Sequence, residues 1–385
     1  KEKANIFKPL ATLFINSVMM MVTPVVFVSL VCGVLSMKEP SRMGRIAFKT
    51  LSLYFITMSS GSAIALFLSS LFFNSKTNSP LVHEIKPLDI PIMTSKTASI
   101  IDNISNIIPQ NILVAFVEGN ILQVIVFGLM FGLMVNLSGD KGKPIDNFFQ
   151  SLSVVIFKLV QMIMSIAPYG ILALMAVAAG TQGLGIITAL MRMVGVIYFC
   201  MIIVMCIIYG GGLTLARLNP ISFFKKMLEA QVVAFSTTSS AATLPVNMRV
   251  AENKLGVSKG ISSFVLPLGA SVNMDGLSTY MGVIAIFTAS LYGIELSIQN
   301  MLTVVLTSTI AAMGCAGVPA AGLIVLPMVL SSVGLPLDVI GLIAAVNRII
   351  DMMSTTMNIT GDAFSSVIIA KSEGELDIKK YHEKN

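Results

Sequence analysis

Charged residues are scarce in this sequence. They make up 11% of its 385 residues, whereas hydrophobic residues make up 55%. Soluble domains carry about 25% charged residues. The deficit, together with a mean hydropathy of +0.87, excludes an ordinary soluble protein and predicts a polytopic membrane protein that contacts lipid. The net charge of +6 does not indicate nucleic-acid binding, because the lysines and arginines are scattered over short connections.

Cysteine and histidine are also scarce. The four cysteines lie in apolar stretches without the spacing of a metal site or a disulfide framework, and the two histidines lie in a polar loop and in the tail. Neither metal-centred nor redox chemistry is indicated, and we expect no cofactor. No signal peptide precedes the first apolar run, and because the chain begins with Lys1 we expect an upstream segment to be missing.

Five apolar runs in the first part of the chain are close to or above the roughly 20 residues that a membrane-spanning helix needs. They cover residues 9–36, 46–73, 118–137, 150–179 and 185–213. A polar, proline-containing stretch at 74–110 separates the second run from the third, and we expect it to be an extramembrane loop.

Basic residues predict which connections face the cytoplasm, because lysine and arginine are enriched on that side of a membrane. The connection near 180–184 has none. The basic connections, and with them the tail at 371–385, are predicted to be cytoplasmic. They contain Lys38, Arg42, Arg45 and Lys49, then Lys141 and Lys143, then Arg217, Lys225 and Lys226.

After residue 220 the apolar segments are interrupted at their centres. Segment 222–250 carries a serine and threonine run between two basic ends, so we expect a re-entrant helical hairpin whose tip is that run. Segment 297–335 has a glycine-rich centre and no basic residue, so we expect a second hairpin that enters from the opposite side. A broken helix at 257–294 and a last helix at 336–370 follow the two hairpins. Paired, interrupted segments of this kind indicate a transporter whose binding site lies near the bilayer midplane.

Three carboxylates lie in these apolar segments, namely Asp275, Asp351 and Asp362. An unmatched charge at mid-membrane costs roughly 2.5–3.5 kcal/mol, so we expect each one to meet a cation, a ligand amine or hydrogen-bond donors. Alternatively, Asp275 pairs with Arg192 or Arg348, Asp351 pairs with Arg348 on its own helix, and Asp362 caps a helix end.

Two further patterns accompany the carboxylates. Asp351, Thr355, Asn358 and Asp362 share one face of the last helix, which is typical of a ligand path. The hydroxyls and helix ends of the first tip suit a carboxylate ligand, or else satisfy the helix break locally.

These segments resemble the dicarboxylate/amino acid:cation symporter family, which includes glutamate transporters and neutral amino acid exchangers. The resemblance extends from residue 8 onward. It rests on the first tip ending in Thr243-Leu244-Pro245, on Asn273-Met274-Asp275-Gly276, on Ala316-Gly317-Val318-Pro319, and on the helix from Asp351 to Asp362. The family's first helix is expected to precede this chain.

The resemblance implies an all-α membrane protein with the glutamate-transporter fold, two re-entrant hairpins and inverted repeats. It implies a homotrimer in the cell membrane whose transport core slides across the bilayer as an elevator. By this analogy 1–73 holds scaffold helices and the first part of the transport domain, 111–213 holds scaffold and transport helices, and 214–370 holds the transport core.

The resemblance also implies Na⁺ as the coupling ion, bound at three sites. The first uses Gly269, Asn273, Asn358 and Asp362, and the second uses backbone oxygens of Ser271, Ala312, Met313 and Cys315. The third uses Tyr54, Thr57, Asn273 and Asp275, but Met58 stands where many members have serine.

Substrate contacts follow by the same analogy. They are Thr238, Ser239 and Ser240 for the α-carboxylate, Gly317 and Val318 in the second tip, Asp351 for the amine, and Ser354, Thr355 and Asn358 alongside. Acidic amino acid carriers have an arginine at the position of Ser354 and a threonine at that of Leu277. Because an unpaired second carboxylate is costly to bury, we expect a small neutral amino acid. The alternative is an acidic amino acid or C4-dicarboxylate symporter that uses Arg348, with protons as another candidate driving ion.

Two other classes of membrane protein fit the sequence less well. An intramembrane aspartyl protease needs Tyr-Asp and Gly-x-Gly-Asp motifs, and no tyrosine precedes any of the three aspartates. A channel would differ from a carrier in showing flux without saturation. We expect a transporter and not an enzyme.

Overall fold

The computed structural model describes residues 6–35, 42–73, 108, 110–118, 121–166, 169–170, 172–173, 176, 185–315 and 321–383. These residues form helices, and the one β-type pairing among them is an isolated antiparallel bridge between Val257 and Leu376. The mostly helical fold expected from the sequence is thus confirmed. The predicted loop at 74–110, apart from residues 108 and 110, and the second tip at 316–320 lie outside the described residues.

The first half of the chain forms long apolar helices. One begins at Lys143, earlier than the run predicted at 150–179, because the first turn of a helix tolerates Pro144. The helices are α1 (Lys8–Leu35), α2 (Arg42–Phe72), α3 (Ile112–Glu118), α4 (Ile121–Leu137), α5 (Lys143–Ser165), α6 (Gly185–Val204) and α7 (Gly211–Leu215). A single π-helical stretch, Met205–Gly210, joins α6 to α7.

Apart from the 34-residue helix Val339–Ser372, the second half forms helices of 18 residues or fewer, and several of them have polar caps. Asn219, Ser258 and Ser297 each accept a backbone N–H in the first turn of the helix that follows, which fixes where that helix begins. The helices are α8 (Pro220–Thr237), α9 (Ser240–Asn253), α10 (Lys259–Val272), α11 (Asp275–Tyr292), α12 (Ile298–Met313), α13 (Ala321–Ser332), α14 (Val339–Ser372) and α15 (Ile378–His382).

Four helical segments in the described part of the chain are long and apolar enough to cross a membrane, by length and composition. They are Arg45–Phe72, Ile186–Leu215, Lys259–Tyr292 and Val339–Ser372. Together with the composition, they indicate an integral membrane protein. The third segment is not continuous, because α10 ends at Val272 and α11 begins at Asp275.

Helices α8 and α9 run antiparallel as a helical hairpin. Near its open end the Lys226 ammonium donates to the carbonyl of Lys254 at 2.9 Å, and near its turn the hydroxyls of Thr237 and Thr243 are 3.2 Å apart. Helices α12 and α13 pack in a similar way, with the hydroxyls of Thr307 and Ser332 3.3 Å apart. The turn of the first hairpin lies where the sequence is interrupted by hydroxyl residues.

Two of the basic connections contact the tail that follows α14. Glu373, just after α14, accepts hydrogen bonds from Arg45 at 2.6 Å and Lys49 at 2.5 Å. Lys226 also donates to the carbonyls of Lys380 and Tyr381 in the tail at 2.8 and 2.9 Å. Residues from two of the three basic connections therefore contact the tail.

The ion pairs of Glu373 predict a pH dependence of stability. The Arg45 guanidinium, and then the Lys49 ammonium, lower the pKa of the Glu373 carboxyl from 4.5 to about 2. A carboxyl with a lowered pKa in the folded state stabilises the fold fully above its unfolded pKa, and this contribution is lost as the pH falls toward 2.

We therefore expect Glu373→Gln to lower the melting temperature in detergent more at about pH 6 than at about pH 3. Glu295→Gln, at an exposed glutamate, is the control and should change the melting temperature little at either pH. If Glu373→Gln lowered the melting temperature equally at both pH values, the stabilising role of the Glu373 ion pairs would be contradicted.

Candidate functional site

The break between α10 and α11 lies against the middle of α14. The two residues of the break, Asn273 and Met274, are buried and have non-helical backbone angles. The break leaves the first N–H groups of α11 without a local cap. Asn358 of α14 supplies one, because its Oδ1 accepts the N–H of Gly276 at 2.7 Å.

A first cluster joins Asn273 to Asp362, which are 89 positions apart in the sequence. The Asn273 amide donates to Asp362 Oδ1 at 3.0 Å, and both side chains are 1% exposed or less. Asn273 Oδ1 and Asp362 Oδ2 accept no hydrogen bond from any described residue. Gly269 lies beside them, since an added Cβ there would be 2.8 Å from the Tyr54 hydroxyl and would also meet the Asp362 carboxylate.

Two buried oxygens without donors, one of them on a carboxylate, fit a small hard cation. Such oxygens are costly to bury unless something positive faces them. Asn273, Asp362 and Gly269 from the expected first site thus meet in space. Asn358 is close as well, but its oxygen is used by Gly276 and its Nδ2 lies 3.3 Å from the Met274 sulfur.

A second cluster surrounds Asp275. Its Oδ1 accepts from Thr57 at 2.8 Å, and its Oδ2 accepts from Tyr209 at 2.6 Å and from the Asn273 amide at 3.4 Å. None of these partners is a cationic side chain. The sequence offered Arg192 and Arg348 as alternative partners for Asp275. In the structure Arg192 donates to the Phe72 carbonyl and Arg348 donates to the Thr238 hydroxyl.

Tyr209 is a site residue that the sequence did not indicate. It lies in the π-helical stretch between α6 and α7, 66 positions from Asp275, and no local motif marks it. The expected ligand Tyr54 is fully buried, but its hydroxyl donates to the carbonyl of Val265 at 2.8 Å. Thr57 contacts Asp275, as the resemblance implies, and the neighbouring Met58 is fully buried.

The first hairpin turn consists of Thr238 and Ser239. Thr238 has φ 52°, which is unusual for a β-branched residue, and it accepts a hydrogen bond from Arg348 of α14. Ser239 caps α9, accepting the Ala242 N–H at 3.3 Å, and Ser240 is buried as the first residue of α9. The turn thus places a helix N-terminus and a guanidinium side by side.

The face of α14 next to this turn carries the other expected substrate residues. Asp351, Ser354 and Thr355 are all buried, and the Asn347 amide donates to Asp351 Oδ2 at 2.8 Å. The sequence predicted Arg348 as a partner for Asp351 or for a substrate, and its recorded hydrogen bond is to Thr238.

The expected second cation site is only partly described. Ala312 and Cys315 are buried, Met313 is half-buried, and Ser271 is exposed at the end of α10. Within the turn the Cys315 N–H donates to the Ala312 carbonyl at 3.1 Å. Gly317 and Val318 lie outside the described residues.

Tyr280 is another buried residue that the sequence did not indicate. Its hydroxyl has no hydrogen-bond partner among the described residues. It lies against Gly322 of α13 and within electrostatic range of Asp351 and Cys315. Helices α11, α13 and α14 therefore meet beside Asp351.

Comparison with known proteins agrees with this architecture. The sodium:dicarboxylate symporter family model matches residues 1–372. A proton/sodium-glutamate symport protein of Bacillus subtilis is 33% identical over 95% of this chain and 86% of its own length. A proton/glutamate-aspartate symporter of Escherichia coli is 32% identical over 98% of this chain and 87% of its own length. A C4-dicarboxylate transport protein of Rhizobium leguminosarum is 32% identical over 96% of this chain and 84% of its own length.

The close packing around Asp275 predicts a strict size limit at Gly361. A Cβ added there would lie 2.6 Å from the Tyr209 hydroxyl and 3.1 Å from the Asn273 amide, and would also meet Asp275. We expect Gly361→Ala to destabilise the protein by roughly 1–3 kcal/mol, which is the usual cost of overpacking a core.

The matched control is Gly195→Ala in α6, where an added Cβ has no described atom within 4 Å. Because alanine is the better helix former by about 1 kcal/mol, this control should be neutral or stabilising. Thermal unfolding of the purified protein measures both variants. Equal effects of the two substitutions would refute the packing described at Gly361.

Proposed function

The chain belongs to the sodium:dicarboxylate symporter family of membrane transporters, and on that premise we propose that it is a cation-coupled symporter of acidic amino acids. The observation that carries the proposal is the position of Arg348. Its guanidinium reaches Thr238 in the first hairpin turn and lies one helical turn before the buried carboxylate of Asp351. The Arg348 guanidinium suits a second carboxylate on the substrate, and the Asp351 carboxylate suits an amine.

Each part of the substrate has a complementary group. The α-carboxylate faces the N-terminus of α9 at Ser239 and Ser240, where backbone N–H groups and the helix dipole favour an anion. The amine faces Asp351, and the second carboxylate takes the Arg348 guanidinium. The named relatives transport glutamate, aspartate or C4-dicarboxylates, which all carry two carboxylates. An amino acid offers an amine to the Asp351 carboxylate, and a C4-dicarboxylate has none.

The proposed coupling ion is Na⁺, held as cargo by Asn273 Oδ1 and Asp362 Oδ2, with the backbone of Gly269 alongside. Support comes from the absence of a donor to either oxygen among the described residues. An ion there joins the end of α10 to the middle of α14 and therefore favours the arrangement in which Asn358 and Asp351 face the substrate. Ion and substrate then raise each other's affinity by the same factor.

The larger assembly is proposed by analogy with the family. The two helical hairpins are re-entrant from opposite sides, residues 214–370 form a moving transport core, and three copies assemble into a homotrimer in the cell membrane. The tail at 371–385 is cytoplasmic. The contacts that Arg45, Lys49 and Lys226 make with the tail support that orientation.

A neutral amino acid is the second candidate substrate. Ser354 and Leu277, at the positions where the family's acidic carriers have arginine and threonine, are both buried and uncharged. The two candidates differ in one respect that transport can measure, namely whether Arg348 contacts the substrate.

Transport by variants of Arg348 distinguishes the candidates. In proteoliposomes with an inward Na⁺ gradient we expect uptake of labelled glutamate or aspartate to exceed that of alanine or serine. Arg348→Gln should reduce acidic uptake at least 10-fold, since about 1.4 kcal/mol of lost binding corresponds to that factor. Arg192→Gln, which removes a guanidinium bonded to the Phe72 carbonyl, is the matched control and should transport normally. A wild type that accepts only neutral amino acids would overturn the acidic assignment.

A gain-of-function variant tests the second candidate. If the wild type carries neutral amino acids, Ser354→Arg should admit aspartate or glutamate, because it supplies a guanidinium to the buried face of α14. Competition by unlabelled aspartate in the uptake assay reports the gain. A folded variant without that gain would argue against Ser354 as a specificity position.

Cation coupling has its own test. The affinity for the preferred amino acid, measured by calorimetry at several Na⁺ concentrations, should rise with Na⁺, and Asp362→Asn should remove most of that dependence. Choline replaces Na⁺ in the control. Amino acid affinity that does not respond to Na⁺ would refute sodium coupling, and a response to pH alone would indicate protons instead.

A further inference from the structure

The π-helical stretch Met205–Gly210 places Tyr209 in the middle of the fold. A π-helical turn is rare and occurs often at functional sites. Tyr209 is fully buried, and its ring stacks on Phe364 with centroids 5.0 Å apart and an interplanar angle of 27°. This stacking fixes the direction of the hydroxyl group, which donates to Asp275 Oδ2 at 2.6 Å.

Among the described residues, three donors meet the Asp275 carboxylate. Thr57 serves Oδ1, while Tyr209 and the Asn273 amide serve Oδ2. A hydrogen bond to a charged group contributes roughly 1.5–3 kcal/mol. An unmatched buried carboxylate costs roughly 2.5–3.5 kcal/mol, so these donors offset the cost without a cation.

The space beside Asp275 is also filled. The backbone of Gly361 packs so closely that an added Cβ would overlap Asp275 Oδ2 and the Tyr209 hydroxyl. Next to Thr57 stands the buried thioether of Met58, at the position where many members of the family have serine. The hydroxyl oxygen that a serine at position 58 would add is therefore missing from this side of the Asp275 carboxylate. Tyr209 supplies a donor on the other side.

Asp362 differs from Asp275 in its hydrogen bonds. Its Oδ2 accepts no hydrogen bond from a described residue, and the neighbouring Asn273 Oδ1 is likewise unpartnered. Its one recorded donor is the Asn273 amide. The two carboxylates are bridged by a single amide, yet one is satisfied by the protein and the other is not.

We propose that Tyr209 is a positioning residue whose hydroxyl takes the place of a cation at Asp275, so that the coupling ion binds at Asn273 and Asp362. The third site implied by the resemblance, with Tyr54, Thr57, Asn273 and Asp275, then does not bind a cation in this chain. The inference rests on the proposed cation coupling and adds that the Asp275 carboxylate binds no cation, because the Tyr209 hydroxyl replaces it.

The number of bound ions tests this assignment. The melting temperature of the purified full chain in detergent rises with ligand concentration, and its slope against log[Na⁺] is proportional to the number of ions bound by the folded state. We expect Asp362→Asn to lower that slope by about one ion per chain and Asp275→Asn to leave it unchanged. A slope that falls equally for both variants would overturn the inference.

Tyr209→Phe provides the second measurement, because it removes the hydroxyl and keeps the ring stacked on Phe364. With one donor lost, Asp275 should bind a cation. The slope against log[Na⁺] should then increase by the amount that corresponds to about one more bound ion. Tyr198→Phe is the control, since the Tyr198 hydroxyl donates to the Ile349 carbonyl at 2.8 Å and the same atom is removed. An unchanged slope in Tyr209→Phe would also overturn the inference.

The outcomes separate this inference from the proposed function. A wild type whose melting temperature ignores Na⁺ would overturn sodium coupling and the inference with it. A wild type that responds to Na⁺, combined with loss of one ion in Asp275→Asn, would leave the proposed function intact and refute the role of Tyr209.

Discussion

The structure depends on the burial of two carboxylates at one helix break. Asp275 and Asp362 come from helices far apart in the sequence, and the amide of Asn273 donates to both. Each unmatched charge would cost roughly 2.5–3.5 kcal/mol in an apolar setting, so the break between α10 and α11 cannot move independently of α14. At the break itself the Asn273 N–H donates to the Gly269 carbonyl at 2.8 Å, and the Met274 carbonyl accepts the Ser278 N–H at 3.0 Å.

The capping of α11 extends this dependence. A helix that begins in the middle of an apolar segment has N–H groups that neither water nor a preceding turn can satisfy. Asn358 satisfies one of them from α14, and Asn358 also lies on the face that carries Asp351 and Thr355. A displacement of α14 along its axis would therefore uncap α11, which couples the substrate face to the helix break mechanically.

Much of the fold and part of the candidate site could be predicted from the sequence. Apolar run length and glycine and serine interruptions indicated the helices, the two interrupted segments and the break at Asn273. The cost of burial pointed to Asp275 and Asp362. Tyr209 could not be predicted, because hydropathy does not distinguish a π-helical turn from an α-helical one and nothing near Asp275 in the sequence names its partner. The side-chain direction of Arg348 was also open, since helical spacing allows it to approach Asp351 or the first hairpin turn.

The contacts of Lys226 have a consequence for how the protein is made. This ammonium is 4% exposed and is held by three carbonyls, two of which belong to residues 154 and 155 positions further along the chain. While the ribosome is still synthesising those later residues, the charge at the base of the first hairpin lacks most of its acceptors. The base of the first hairpin can therefore complete its packing only after the tail has been synthesised.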